Sequence, residues 1–440
     1  MKILRFTAPL TAAAAASDNQ TAITFDTRLE TSGFVQNVRI YSDYRNTPLT
    51  LSASGLKQGD SMALLILPWR LELWVEGHLM DEEWPCGKLP IETIAEEALC
   101  NAGISVTDDP NGDDCSNMSL RAPDYTTDCG ISANDNSPRI LGRLQSKNGE
   151  NPAEGWRPSD PGVFAGDCMP YKDFDKDGTE RYHVLYLKDR RHHTSKWHKG
   201  AHQWAHMSTT DFRNWDFHPL TVSIDDPSEG SICTGSWLKT AEGIHYLYYT
   251  VRPIDDSPAL LLRSVSEDGY QYRRDTDFRF VLSSRYHGNS ARDPKIVKAD
   301  DGYHMFVTTS LVTGEYAHHG CLAHITSKDG LTWTETEPIY ISDTGDQPEC
   351  PDYFARNGWY YLIFSLRGRG HYYYSRKPFS DWQKPADPII PCENVPKMAL
   401  WKDRILFTGF LCMNGYAGTL TFIEAEQHED GTLSFGKMNG

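Results

Sequence analysis

Ala165-Gly-Asp-Cys-Met-Pro-Tyr171 opens a unit of sequence that returns along the rest of the chain. It is followed by a hairpin turn, Asp173-Phe-Asp-Lys-Asp-Gly178, and by Tyr182-His-Val-Leu-Tyr-Leu187, a strand pattern. Each later unit has the same order: a polar or carboxylate head, a strand, a tight turn, an aromatic-rich strand, and a close of the Ser-x-x-Asp kind with an aromatic after it. The aromatic-rich strands are Tyr182 to Tyr186, His245 to Thr250, Tyr303 to Val307 and Trp359 to Phe364. The closes are Ser208-Thr-Thr-Asp211 with Trp215, Ser264-Val-Ser-Glu-Asp268 with Tyr272, Ser327-Lys-Asp329 with Trp333, and Ser380-Asp-Trp382. A worn fifth unit runs from Met398 through Arg404-Ile-Leu-Phe407 and Thr419 to Ile423, ending at Thr432 to Phe435. Four clear repeats and one worn one predict an all-β protein whose residues 158–440 form a five-bladed β-propeller.

The bulk numbers agree with β structure. The chain has 440 residues, with 12 Trp, 22 Tyr and 17 Phe, frequent Gly and Pro, and almost no helix-period segments. Its net charge of -17 and lack of a basic stripe argue against nucleic acid as a partner. No run of about 18 apolar residues exists, so no membrane-spanning helix is expected. Acidic excess with many aromatics suits a carbohydrate partner, although most of the rings are expected in strand cores. A homo-oligomer stays open. Met1 to Ser17 imitates a signal peptide with a weak apolar part broken by Pro9; the rival is a first strand, Ile3-Leu-Arg-Phe6. Localisation therefore stays open, the cytoplasm being slightly favoured. The 10 Cys follow no CxxC spacing. Cys115 and Cys129 are spaced to pair across a loop, whereas Cys168, Cys233 and Cys350 read as free buried thiols. Asn19 and Asn117 are glycosylation acceptors only in a secreted chain.

Ahead of the repeats, residues 1–100 alternate like a β-sandwich: Ile23 and Phe25, Phe34 to Ile40, Ala63 to Leu67, and a hairpin from Leu71 to Asp81 turning at Glu76-Gly77. The hairpin resembles those of lectin-like sandwiches; a purely structural sandwich is the favoured reading, a carbohydrate-binding module the other. Ile91 to Cys100 is a short helix candidate. Residues 101–157 are polar and turn-rich and are expected as a long linker.

Three repeat heads carry an acid held between Gly and Pro: Asp167, Asp293 in Ala291-Arg-Asp-Pro-Lys295, and Glu349 in Gln347-Pro-Glu-Cys-Pro-Asp352. In a propeller the innermost strands line one channel, so acids distant in sequence would meet at one axis. Crowded carboxylates repel, and at least one is expected to keep its proton near neutral pH. An ionised carboxylate beside a protonated one is what cleavage of a glycosidic bond requires.

These residues carry a resemblance. From about residue 155 to 435 the chain is similar to glycoside hydrolase family 32 and its clan of five-bladed β-fructofuranosidases. Arg292-Asp293-Pro294 and Glu349-Cys350-Pro351-Asp352 match two signature motifs. Trp204-Ala-His-Met-Ser-Thr-Thr-Asp211 resembles the family's strand before the first closing Trp, and Thr234-Gly-Ser236 its Ser-Gly-Ser segment. The family's first motif is Asn-Asp-Pro-Asn-Gly, where this chain has Gly166-Asp167-Cys168-Met169-Pro170. Sandwich-like sequence here precedes the propeller, whereas the family carries it afterwards. The resemblance is therefore to a divergent member. It implies Asp167 as nucleophile, with Asp160 as the rival, Glu349 as acid and base, and Asp293 as transition-state stabiliser, acting by double displacement with retention. Arg292, Trp204, His202, Thr234, Ser236 and Asp352 form the expected substrate-binding set. No metal and no cofactor are implied.

Other constellations are weaker. His198, His202 and His206 have ligand spacing only if helical, with His192 and His193 nearby; the resemblance puts a strand there. Asp173-x-Asp-x-Asp-Gly178 begins like an EF-hand loop but has Val184 where Glu is needed, so a turn is favoured. Arg367-Gly-Arg-Gly-His371, with Tyr372 to Tyr374, reads as a pocket rim or a solvated loop. The leading expectation is a retaining glycosidase or transglycosylase acting on a fructan, a difructose anhydride or a fructo-oligosaccharide. The alternatives are an inverting arabinan- or xylan-type furanosidase and a non-catalytic sugar-binding propeller.

Overall fold

The computed structural model describes residues 2–14, 23–31, 33–41, 49–66, 71–76, 78–83, 96–108, 139–143, 154–157, 163–190, 202–224, 228–412 and 416–438. The first strands are β1 (Lys2–Thr7), β2 (Ala12–Ala14), β3 (Ile23–Glu30), β4 (Gly33–Ile40), β5 (Leu49–Leu56), β6 (Ser61–Ile66), β7 (Leu71–Val75), β8 (His78–Glu83) and β9 (Ser105–Asp108), with a short helix α1 (Glu96–Asn101). They make two antiparallel sheets, ordered β8-β7-β6-β1-β9 and β2-β3-β4-β5. Alternate residues of both sheets, among them Leu4, Phe6, Phe25, Val38, Leu51, Leu64 and Leu73, bury into one core. This period-2 burial makes the unit a β-sandwich. The Glu76 turn is as expected, with Val75 paired to His78 and Glu76 in the left-handed region (φ 47°). Lys2–Thr7 is an interior strand, hydrogen-bonded to β6 on one side and β9 on the other.

The remaining strands are β10 (Arg139–Arg143) and β11 (Glu154–Arg157), followed by five blades. Blade I is β12 (Val163–Phe174), β13 (Glu180–Arg190), β14 (Gln203–Thr209) and β15 (Asp216–Val222). Blade II is β16 (Glu229–Lys239), β17 (His245–Pro253), β18 (Leu260–Ser266) and β19 (Arg273–Phe280). Blade III is β20 (Arg292–Ala299), β21 (Gly302–Ser310) and β22 (Gly320–Ser327), edged by β23 (Thr334–Glu335) and β24 (Tyr340–Ile341). Blade IV is β25 (Glu349–Arg356), β26 (Trp359–Leu366), β27 (Arg369–Ser375) and β28 (Ile389–Ile390). Blade V is β29 (Asn394–Trp401), β30 (Arg404–Cys412), β31 (Gly418–Gln427) and β32 (Leu433–Gly436). The chain divides into two compact units, one built around β1–β9 and the other around the propeller.

The inner strands β12, β16, β20, β25 and β29 neighbour one another in a closed ring. Apolar side chains fill the seams between blades. Tyr248, Leu261 and Phe278 of blade II meet Ile296, Met305 and Val307 of blade III, and Tyr361 and Ile363 of blade IV meet Ile405, Phe407 and Ile423 of blade V. The seam that closes the ring is aromatic: Tyr182, Phe212 and Trp215 of blade I pack on Trp401 and Phe422 of blade V.

The repeated closes are one turn used three times. Thr209 with Asp211, Ser266 with Asp268, and Ser327 with Asp329 each accept the next backbone N–H groups and end the third strand. In blade I the hydroxyl belongs to Thr209, one residue past the expected Ser208. Asp173 to Gly178 is the expected hairpin, closed by Asp175 N–H to Thr179 O at 2.9 Å.

Residues 101–157 differ from expectation where they are described. Ser105–Asp108 joins the sandwich through β1, and Glu154–Arg157 lies along β31 of the last blade. Each is a four-residue strand added to an open edge, which needs backbone groups rather than an apolar pattern of its own. The described part of the expected helix is Glu96–Asn101, one residue past Cys100; 91–95 lie outside the described residues, as do Asn19, Asn117, Cys115 and Cys129.

Candidate active site

Every inner strand carries a β-bulge near its start, at Gly166-Asp167, Cys233-Thr234, Asp293-Pro294, Cys350-Pro351 and Val395-Pro396. Two residues there face one on the next strand, which bends the strand and re-aims its side chains. In blades III, IV and V the first bulge residue is left-handed and precedes Pro: Asp293 at φ 57°, Cys350 at 49° and Val395 at 40°. The acids were expected at equivalent places. Register instead puts Asp167 second in its bulge, Asp293 first in its own, and Glu349 just before one, opposite Ser365. Three different positions of one repeated kink thus face a single axis.

The chain links among these groups are short. Asp167 accepts hydrogen bonds from Tyr416 Oη at 2.9 Å and Thr234 Oγ1 at 2.6 Å, and its Oδ2 lies 3.3 Å from Cys350 Sγ. The Cys350 backbone N–H donates to Asp293 Oδ2 at 3.1 Å. Arg292 lies 3.5 Å from Asp293 Oδ2 through Nε and 2.9 Å from Glu349 Oε1 through Nη2, and Gln347 Oε1 holds its other arm. Asp167, Asp293 and Glu349 therefore share one cluster, with Cys350 and Arg292 as its joints. Burial is graded: Asp293 is 2 % exposed and the Glu349 side chain 44 %.

Below the acids the channel is plugged. Lys397 Nζ, from blade V, donates to Gly235 O of blade II at 2.9 Å and Pro351 O of blade IV at 3.2 Å. Lys295 pairs with Asp352 at 2.5 Å.

Burial, with the nearby Asp167 and Glu349 charges, pushes the Asp293 carboxyl up to about 6 against the pull of Arg292. The raised carboxyl is thus that of the deepest acid, but at about 6 it gives up its proton below neutral pH, short of the expectation that one acid stays protonated there. Burial, then Asp167 and Asp293, push the Cys350 thiol well above its ordinary value, so it stays a donor. Burial and Asp167 likewise keep the Tyr416 phenol protonated.

The expected substrate-binding set divides. Arg292 belongs to the cluster, and Thr234 is buried with its hydroxyl donated to Asp167. Ser236 is buried too, and pins blade II to blade III through Pro294 O and Ile296 N–H. Asp352 does not face a ligand: Lys295 and Met398 N–H occupy its two oxygens in the interior. Trp204 is a correction as well, since it is fully buried, its indole N–H given to Cys233 O and its ring against Tyr249. His202 is buried with its ring 4.8 Å from that of Tyr416, behind the site rather than on its rim. Asp160, His192, His193 and His198 lie outside the described residues. His206 joins His183 and His218 instead of His202.

Sequence reasoning missed Tyr416, Cys350 as a thiol donor, and Lys397. For Lys397 a signal exists: Val395-Pro-Lys397 repeats the frame of Asp293-Pro-Lys295. For Tyr416 it is indirect, since a Cβ on Gly166 would come 2.5 Å from the phenol oxygen.

Fold and site together define a five-bladed β-propeller with two aspartates and a glutamate gathered over a plugged axial channel. Residues 177–384, just under half of the chain, match the model of the glycosyl hydrolases family 32 N-terminal domain, so this part of the chain is similar to that family. Among curated relatives, a sucrose-6-phosphate hydrolase of Vibrio alginolyticus is 29% identical over 177 residues, covering 38% of this chain and 34% of that protein. One from Bacillus subtilis (strain 168) is 28% identical over 204 residues, covering 42% and 40%. The chain thus spans well under half the length of these relatives. Among solved structures, fructan 1-exohydrolase IIa from Cichorium intybus superposes with a TM-score of 0.51 at 15% identity, covering 66% of this chain and 61% of that one. The GH32 beta-fructofuranosidase of Bombyx mori gives 0.50 at 18% identity, covering 63% of each. These structural likenesses concern the propeller fold.

Proposed function

We propose that the chain is a glycoside hydrolase that cleaves fructofuranosides by double displacement with retention of configuration. The observation that carries this reading is the hydrogen bonding of Asp167. Two hydroxyls and a thiol converge on its carboxylate and fix its orientation, as an attacking group requires. The Glu349 side chain is 44 % exposed, far more open than Asp293, and would stand where a leaving group sits. It would give its proton to the glycosidic oxygen, then take one from water as the fructosyl–enzyme ester is hydrolysed. Arg292 would keep Glu349 aimed, and Asp293 would accept hydrogen bonds from sugar hydroxyls. Sucrose, its 6-phosphate, raffinose and fructans are the substrate classes named for the relatives, and small β-fructofuranosides are the first to try.

The test is turnover of a panel of fructofuranosides and arabinofuranosides, with the first-formed anomer read by time-resolved proton NMR. Retention with a fructoside, lost in Asp167→Asn and Glu349→Gln, supports the proposal. Inversion on an arabinoside would transfer the chain to the neighbouring clan, whose carboxyls stand roughly 6.5–9.5 Å apart rather than about 5–5.5 Å. Sugar binding unchanged by Asp167→Asn, with no turnover in the native chain, would make it a binding propeller.

A further inference from the structure

Blade I holds a second polar cluster, made of groups that the fructoside chemistry does not use. His183 of β13, His206 of β14 and His218 of β15 each bring a ring nitrogen within 4.8 Å of the other two. The register explains the meeting. Leu185 pairs with His206 and His183 with Ser208, so the alternation of the two strands puts His183 and His206 on one face. His183 and His206 are buried, and His218 nearly so. Tyr171 stacks on His183 with ring centres 4.6 Å apart, and Tyr270 lies 4.6 Å from His218.

The hydrogen bonding of this cluster is incomplete. His206 Nε2 is shared between His183 Nδ1 at 3.0 Å and Tyr171 Oη at 3.2 Å. His218 Nε2 meets Ser208 Oγ at 2.7 Å. His206 Nδ1 is buried and has no hydrogen-bond partner. A buried ring nitrogen left without a partner gains a bond if a ligand reaches it. Three ring nitrogens converging on one point offer lone pairs to a Lewis acid. The surrounding charge suits a cation. Arg181 pairs with Asp175 and Asp216, and Lys239 with Asp173, so three carboxylates face two cations, with neutral His245 beside Asp173.

We propose that His183, His206 and His218 form a binding site for a divalent transition metal, zinc first, which clasps the three outer strands of blade I. Three imidazoles without a thiolate suit zinc and its neighbours rather than calcium or magnesium, which take oxygen ligands. Zinc–nitrogen bonds of about 2.0–2.1 Å put ligand nitrogens about 3.4 Å apart. Closing the cluster to that span asks for a movement of about an ångström, and His218, the least buried, is the side chain that can make it. The site lies away from the three acids, and its role is structural.

The test uses the whole chain, stripped with a chelator and titrated with Zn²⁺ and with Co²⁺. One equivalent should bind at micromolar concentration or below and raise the thermal midpoint by several degrees. X-ray absorption of the zinc-loaded wild type should count three imidazoles. His218→Ala and His218→Gln should weaken binding at least tenfold while leaving fructoside turnover unchanged. The absence of stoichiometric binding by the wild type, equal affinity in a folded variant, or a zinc shell of oxygen with fewer than three imidazoles overturns the proposal. If both variants fail to fold, the wild-type stoichiometry and ligand count decide alone.

Discussion

Asp293 is where stability and the proposed chemistry pull in opposite directions. Its carboxyl is raised from 3.8 to about 6, chiefly by burial. A carboxyl that binds its proton more tightly in the folded chain adds stability that is full below the unfolded value and is lost as pH rises through the folded one. A shift of this size amounts to about 3 kcal/mol lost between roughly pH 4 and pH 6. Asp293→Asn should therefore match the wild type in urea unfolding at pH 4, exceed it by about 2–3 kcal/mol at pH 7.5, and show no turnover. A variant no more stable at pH 7.5 would mean that the carboxyl is not paying a burial penalty. Tyr416 presents the complementary case. Tyr416→Phe removes one donor from Asp167 but keeps the ring against Phe410 and His202. A hydrogen bond to a charged group is worth about 1.5–3 kcal/mol, so kcat should fall about 10- to 100-fold with KM little changed. An unchanged kcat would remove Tyr416 from the site. The three acids were legible in the sequence because each sits in a short Gly- or Pro-flanked segment. Tyr416 was not, because it approaches Asp167 from a loop 249 residues away and belongs to no repeat.

The bulge is the element that turns a propeller strand into a site. Strand identity was readable because alternation of period 2 and the closing turn both recur. The bulge was not, because one extra residue leaves the composition unchanged while shifting every side chain after it to the other face. Missing it makes Asp352, two residues past the Cys350-Pro351 bulge, look like a ligand contact. With the bulge counted, Asp352 drops to the Lys295 layer; Trp204, on an outer strand without a bulge, is hidden because it packs against Gly235. Gly235 shows how tightly the bulge is packed. A Cβ there would lie 1.8 Å from Tyr248 O, a backbone atom that cannot swing away. Gly235→Ala should cost about 3 kcal/mol or more, at the upper end of overpacking effects, and should lower the thermal midpoint. It should also lower kcat, since Gly235 O is one of the two carbonyls that hold Lys397. Loss of stability with kcat intact would show that the bulge of blade II is scaffold alone.

Closure of the ring couples the whole molecule to the acids. Blade V was the faintest repeat in the sequence, yet it supplies Trp401 and Phe422 to the closing seam and Lys397 to the axis. Its pattern is worn because its third strand is edged by two short pieces, β32 and β11, the latter from ahead of blade I, rather than by one long strand. Lys397 reaches from blade V to carbonyls of blades II and IV, so its position depends on all three blades being in register. Its charge is also among those that hold the Asp293 carboxyl down. Lys397→Met fills a similar space without the charge or the donors. Two carbonyls lose their partner, at a cost of about 1–3 kcal/mol each, so the thermal midpoint falls. The electrostatic effect has a definite sign. With a cation removed, the Asp293 carboxyl rises above about 6. If its ionised form is the one that receives sugar hydroxyls, kcat/KM climbs with pH through that value. The acid limb should then move to higher pH by about half a unit to one unit in Lys397→Met. A lowered midpoint with the limb unmoved would make Lys397 a structural plug and nothing more. A shifted limb would mean that the channel floor sets the working pH of the well above it.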